Sequence, residues 1–190
     1  MNFANADEPA WGIDMLHERL RRATAERHRR VDAAYSRFDL TDRAGYLAFL
    51  SAQARALGAA ERALTARTLP PWSPRAPLLD ADLHALGGCS PAPDRLEAPL
   101  SAQGQVGLLY VLEGSRLGAQ VLARRIADGW PRAFLSAAHP PGAWRAFRAW
   151  LDAAGADAGP AWTAGAVRGA EIGFDLFERA ASPAVLQSAR

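Results

Sequence analysis

The sequence predicts an all-α protein, a single-domain multi-helix bundle of about six helices with no strands. Alanine and leucine abound while β-branched residues are scarce, a composition that favours helix over sheet. Apolar residues recur every three or four positions through most of the chain, the spacing of a helix face. The stretches that interrupt this spacing are dense in proline and glycine and read as loops. With 190 residues, the chain is long enough to bury a proper core as one domain.

Residues 1–12 are expected to be a flexible leader, residues 13–182 the helical domain and residues 183–190 a C-terminal tail. A first helix runs from about Ile13 to Phe38, with Leu16, Leu20, Thr24, His28, Val31 and Tyr35 stepping along one face. Arg19, Arg22, Glu26, Arg29 and Arg30 fall on its wet side. Asp39-Leu-Thr-Asp42 is a natural capping cluster for a second helix reaching about Arg67, whose stripe holds Tyr46, Phe49, Leu50, Gln53, Leu57 and Leu64. The proline-dense segment from Leu69 to Pro77 must be a loop. A short helix from about Leu78 to Leu86 stops at Gly87-Gly88. Ser101 opens a long helix to about Arg125, closed by Gly129-Trp-Pro131. Gly142 to about Ala154 forms another helix with Trp144, Phe147 and Leu151 inward. The last spans about Ala161 to Ala181, with Val167, Ala170, Phe174 and Phe177 on one face.

Composition excludes several function classes. All basic residues are arginine, and the net charge is only +2, with arginines interleaved among acids rather than run together. Nucleic acid is therefore not an expected partner. No apolar run approaches the roughly 18–20 residues of a membrane span, and the first residues lack the basic and apolar regions of a signal peptide. One cysteine, Cys89, excludes an internal disulfide and a Cys-based zinc cluster. A cytoplasmic protein that does not engage a membrane is expected.

The most informative segment is Gly104 to Arg125. It reads as one helix, yet Gly107, Val111, Gly114, Gly118 and Val121 form a single stripe at 100° per residue. Each interior glycine costs roughly 1 kcal/mol relative to alanine, which is repaid when something lies close against the backbone. That object is either a partner helix packing on small residues or a flat planar ligand.

Four histidines are present, His17, His28, His84 and His139, without a His-x-x-x-His pair. No di-iron acid spacing, nucleophile elbow, phosphate loop or dinucleotide fingerprint occurs. His28 stands on the apolar stripe of the first helix, either as a core residue or as a metal ligand. Asp32, one turn on, is placed to accept the Nδ1 proton and leave Nε2 free for a metal, or else to be a solvated helix acid. His17 lies about 16 Å from His28 along the axis and cannot share an ion with it.

Three segments together resemble the bacterial haem oxygenases: Leu20-Arg-Arg-Ala-Thr-Ala-Glu-Arg-His28, Tyr46-Leu-Ala-Phe-Leu50 and Tyr110-Val-Leu-Glu-Gly-Ser-Arg-Leu-Gly-Ala-Gln-Val-Leu122. The likeness is nearest to members that supply biliverdin to bacteriophytochromes, and it runs from about Leu16 to Phe177. It implies a haem-oxygenase-type bundle with haem b, substrate and cofactor at once, sandwiched between a proximal first helix and a glycine-rich distal helix. It also implies O2-dependent cleavage of the macrocycle to biliverdin, CO and iron. Electrons would come from an external ferredoxin or reductase, and a bacteriophytochrome could receive the biliverdin. His28 falls on the axial iron ligand, and Gly114 and Gly118 on the close-approach positions of the distal helix.

Ala119 stands where many members have a second adjacent glycine. Ser115 stands where animal members carry an aspartate and bacterial ones often serine. With Gly114, Ser115 is expected to hold distal water. Tyr110 and Val111 belong to the same face, and Arg116 is expected to point outward. Arg21, Arg145 and Arg148 are candidates for binding the haem propionates, because the guanidinium fork suits carboxylates. Phe174 and Phe177 are candidate pocket walls. Two rival functions remain, a non-catalytic haem-binding or delivery protein and a thiaminase-like enzyme on the same fold. The second requires Cys89 or Glu113 as a nucleophile.

Overall fold

A computed structural model describes residues 15–182. Among these there are seven helices and no strand: α1 Leu16–Tyr35, α2 Arg43–Ala63, α3 Ala76–Ala85, α4 Ala102–Ala123, α5 Ala133–Ser136, α6 Ala143–Ala156 and α7 Pro160–Ala180. The expected leader 1–12 and tail 183–190 lie outside the described residues.

Local chemistry sets most of the boundaries. The Asp42 side chain accepts from Gly45 N–H at 2.9 Å and starts α2, and Ser101 does the same for α4 through Gly104 N–H at 3.2 Å. Gly87, at φ 72°, lets the chain turn out of α3. α1 and α2 end earlier than their apolar spacing predicts: Ser36 N–H makes the closing i−4 bond to the Asp32 carbonyl before Phe38 pairs at i−3 with Tyr35, and Leu64 pairs at i−3 with Glu61. α3 begins two residues before the predicted start, with Pro77 inside its first turn, where proline lacks no bond. Its entry is capped from another helix: the Glu61 carboxylate accepts from Arg75 N–H at 2.6 Å and Ala76 N–H at 3.2 Å.

The seventh helix, α5, has no counterpart in the sequence reading. Its four residues are too few for a period to show. A buried acid from α3 holds it, since Asp82 accepts from Ala133 N–H at 3.0 Å and from Phe134 N–H at 2.9 Å.

α7 is the centre of the bundle and packs against α4, α1 and α2. Ion pairs tie α1 to it: Arg27 to Glu171 at 2.8 Å and to Asp175 at 3.0 Å, and Arg30 to Glu178 at 3.0 Å and to Asp175 at 3.2 Å. The core runs through fully buried Leu20, Tyr46, Phe49, Leu57, Leu108, Leu109, Leu151 and Leu176. Among the described residues no helix is long and apolar enough to cross a membrane.

Candidate functional site

The glycine stripe of α4 divides in two. At Gly107 a methyl group would sit on the Ala166 carbonyl oxygen and 2.7 Å from Ala170 N, so this half of α4 lies backbone to backbone on α7. At Gly118 a methyl group would meet nothing within 4 Å, and at Gly114 nothing nearer than Trp144 at 3.9 Å. Gly107 therefore serves helix packing, and only the second half of the stripe faces open space.

That space is a cavity of about 810 Å³ between α1 and α4, well within the 300–1,000 Å³ typical of ligand sites. Its lining is predominantly apolar. Arg21, His28, Asp32, Tyr110, Val111, Gly114, Ser115, Gly118, Ala119, Phe174 and Phe177 all contribute to it. Phe174 and Phe177 are at the same time core residues.

His28 is not a buried core residue, because its side chain is 62% exposed and turned toward the cavity. Its Nδ1 lies 3.1 Å from Asp32 Oδ2, and its ring meets Phe174 edge-on at 5.6 Å. A carboxylate on Nδ1 fixes the tautomer that leaves the Nε2 lone pair free. The other histidines are engaged elsewhere or exposed. His17 pairs with Asp152 at 2.7 Å, His139 Nε2 donates to the Glu113 carbonyl at 3.0 Å, and His84 lies on the surface. Among the described residues no group of three or more His, Cys, Asp or Glu side chains is placed to hold a metal ion.

Arg21 lines the cavity beside Tyr110, whose phenol is raised by burial and partly offset by the charges of Arg21 and Arg148. Arg145 and Arg148, the other two propionate candidates, are not among the residues that line the cavity. Trp144 takes the cavity-facing position of α6; one residue later Arg145 is turned 100° away, while Arg148, four residues on, shares the Trp144 face and its charge reaches Tyr110.

Arg116 also departs from expectation. It is 7% exposed and points inward, donating from Nε to Glu113 at 3.2 Å and from Nη2 to the Ser73 carbonyl at 2.6 Å. The proline-dense loop offers carbonyl acceptors that a helical wheel cannot foresee. Glu113 is thereby paired with Arg116 and lies 3.4 Å from His139, away from the cavity lining, while Cys89 is exposed in its loop. Neither is placed as a nucleophile.

Gln53, Tyr35 and Arg75 are among the cavity residues that had no place in the sequence-derived site. Gln53 carried a faint signal, an amide on an apolar stripe. Tyr35 lines the cavity with a hydroxyl that is buried and, among the described residues, has no hydrogen-bond partner, and burial pushes that phenol far above its usual range. Arg75 carried no signal at all, being one arginine in a loop. It is 3% exposed, and its Nη2 donates to Ser115 Oγ at 2.7 Å and to the Leu112 carbonyl at 3.0 Å.

The residues fit a flat, iron-bearing macrocycle. An imidazole with a fixed tautomer faces the bare positions Gly114 and Gly118, across an apolar slot with the exposed Arg21 and Arg29 among its lining. No protein-family profile matches the chain. In overall architecture it is similar to the haem oxygenase of Neisseria meningitidis, solved with NO and CO bound, with TM-score 0.76 and 24% identity over 88% of this chain and 90% of that one. The fold is thus that of the haem oxygenases. A haem oxygenase of Xanthomonas campestris is 36% identical over 85 residues, 41% of this chain and 50% of the relative, so the match spans about half of that protein. The chain is thus similar to bacterial haem oxygenases in its fold and, over this stretch, in its sequence, and neither likeness reaches the phytochrome-associated subtype.

Proposed function

We propose that this protein is a haem oxygenase that binds haem b in the cavity between α1 and α4 and cleaves it to biliverdin, CO and iron. The observation that carries this reading is His28, oriented by Asp32, across an apolar slot from the open glycine segment at Gly114 and Gly118. Bound haem supplies the iron that activates O2, with electrons from a ferredoxin or reductase. The chain's own residues do the rest. His28 ligates through Nε2 as a neutral imidazole, and Asp32 holds the Nδ1 proton. Gly114 and Gly118 let the macrocycle lie flat, with Ala119 narrowing the same face. Tyr110, Val111, Phe174 and Phe177 exclude bulk water, and Arg21 binds a propionate at the rim. A bacteriophytochrome as acceptor of the biliverdin belongs to this reading on sequence resemblance, and a cytoplasmic location on composition.

The test is haemin added to the purified protein, followed by reductant and oxygen. An absorption band of bound haem that decays to that of biliverdin is the expected result. His28→Ala should abolish the axial bond and turnover while leaving the helix intact, since alanine is the better helix former. Unchanged spectrum and turnover in His28→Ala would overturn the ligand assignment.

A further inference from the structure

The cavity between α1 and α4 has an open and a closed side. Arg21, Arg29, Leu117 and Val121 of its lining are exposed, whereas Phe49 of α2 and Phe134 of α5 are buried. α5 is the unusual part of the closed side. Its four residues are too few to form a stable helix alone, yet Phe134 is 3% exposed and held from two directions.

The backbone of Phe134 is held from α3. Asp82 uses both carboxylate oxygens on α5, accepting from Ala133 N–H at 3.0 Å and from Phe134 N–H at 2.9 Å. The ring is held from α4. The Arg75 guanidinium lies over it at 5.2 Å, and Arg75 Nη2 donates to Ser115 Oγ at 2.7 Å and to the Leu112 carbonyl at 3.0 Å. The ring thus keeps a set position relative to the helix that carries Gly114 and Gly118.

We propose that Phe134 is a specificity-determining residue: as a fixed stop on the closed side of the slot, it sets the in-plane rotation of the haem and so which meso carbon is oxidised. Asp82 is its positioning residue. This rests on the haem oxygenase reading given above. Ligation by His28 fixes the iron but leaves the macrocycle free to turn about the iron–nitrogen bond. The edge of the macrocycle is not uniform, because methyl, vinyl and propionate groups differ in bulk and charge. Cations at the mouth draw the propionates outward. A close-packed wall opposite them admits only those rotations whose inner substituents it accommodates. A loose wall would not discriminate, and the two anchors are what keep this one from yielding.

The test reads ring orientation from the iron-shifted proton resonances of the haem methyl groups in the haemin-loaded full chain, and the biliverdin isomers from chromatography. Phe134→Leu cuts the wall back. It should change the methyl pattern and raise the share of minor isomers about tenfold, the discrimination that a carbon or two of an apolar wall supplies. Asp82→Asn keeps one acceptor oxygen but turns an amide N–H2 against the other backbone N–H. It should move both readouts in the same direction by a smaller factor. Ser101→Ala removes the cap of α4, about 20 Å along the helix from Gly114. That variant lowers stability without touching the wall and should leave both readouts at the parent values. If Phe134→Leu does not fold, Asp82→Asn decides in its place. A methyl pattern and isomer mixture like the parent's in the deciding variant overturn the proposal, as does an equal change in Ser101→Ala. A parent that takes up no haemin overturns both this proposal and the reading it rests on, whereas haem uptake with an unchanged orientation in the deciding variant removes this proposal alone.

Discussion

The two halves of α4 use the same residue for opposite ends. Gly107 gives up its side chain so that the backbone of α7 can approach, with Gly169 answering from the other helix, where a methyl group would collide with the Gly104 carbonyl. Gly114 and Gly118 leave space that no protein atom fills. About four turns further along the stripe from Gly107, exposure has risen until Val121 is 63% exposed. Small residues at helical spacing therefore carry two meanings in one helix, and only the neighbours decide which. What α7 covers is packing, and what it leaves uncovered is a site.

The largest expected effect follows on the closed half. Gly107→Ala places a methyl group against backbone atoms of α7, which no side-chain rotation can relieve. Overpacking of this kind costs about 3 kcal/mol, or roughly 6–12 °C in the melting temperature of a chain this size. A calorimetric scan of the apo protein measures it. A variant that melts with the parent would mean α4 and α7 do not meet as described.

The open half should respond in the reverse sense. Gly118→Leu relieves an interior glycine, worth up to about 1 kcal/mol of helix propensity, so the apo protein should melt at or above the parent temperature. The same side chain occupies the slot facing His28, and haemin affinity should fall by at least about tenfold, equivalent to roughly 1.4 kcal/mol. Measured together on one variant, the two quantities separate a packing glycine from a site glycine. A fall in apo stability with haemin binding intact would merge the two halves and remove the distinction.

This division also shows how far the sequence was legible. The all-α class, the caps at Asp42 and Ser101, and the cavity positions of His28, Gly114 and Gly118 could be read because each rests on local spacing or on one helix face. The fate of Gly107 could not, because Ala166 and Ala170 are distant in sequence and nothing local specifies which face of α4 meets α7. Arg75 and Arg116 were illegible for the same reason: their partners lie at Ser115 and Ser73, across a proline-dense loop whose path no periodicity encodes. α5 depends on Asp82, about fifty residues earlier, and shows no pattern of its own. Long-range hydrogen bonds from buried polar groups, more than hydrophobic contacts, are what the linear sequence concealed.

The smallest expected effects concern the rim of the open half and rank three arginines. Arg21 lines the cavity on the helix that also carries His28, so the distance from iron to rim is fixed by two turns of α1. Arg21→Ala should lower haemin affinity about tenfold, the loss of a charge-assisted bond worth about 1.5–3 kcal/mol elsewhere but partly screened at an exposed mouth. Because a propionate contact also limits rotation of the ring in its plane, the mixture of biliverdin isomers should shift with it. Arg148 acts on Tyr110 only through its charge and lies outside the lining, so Arg148→Ala should change affinity by no more than about threefold. Arg145 is exposed on a face turned from the cavity, and Arg145→Ala should leave affinity and isomer mixture as they are. Haemin titration and chromatography of the products on the three variants test the order. An isomer change in Arg145→Ala without one in Arg21→Ala would place the propionates on α6, with the ring turned away from Arg21 altogether.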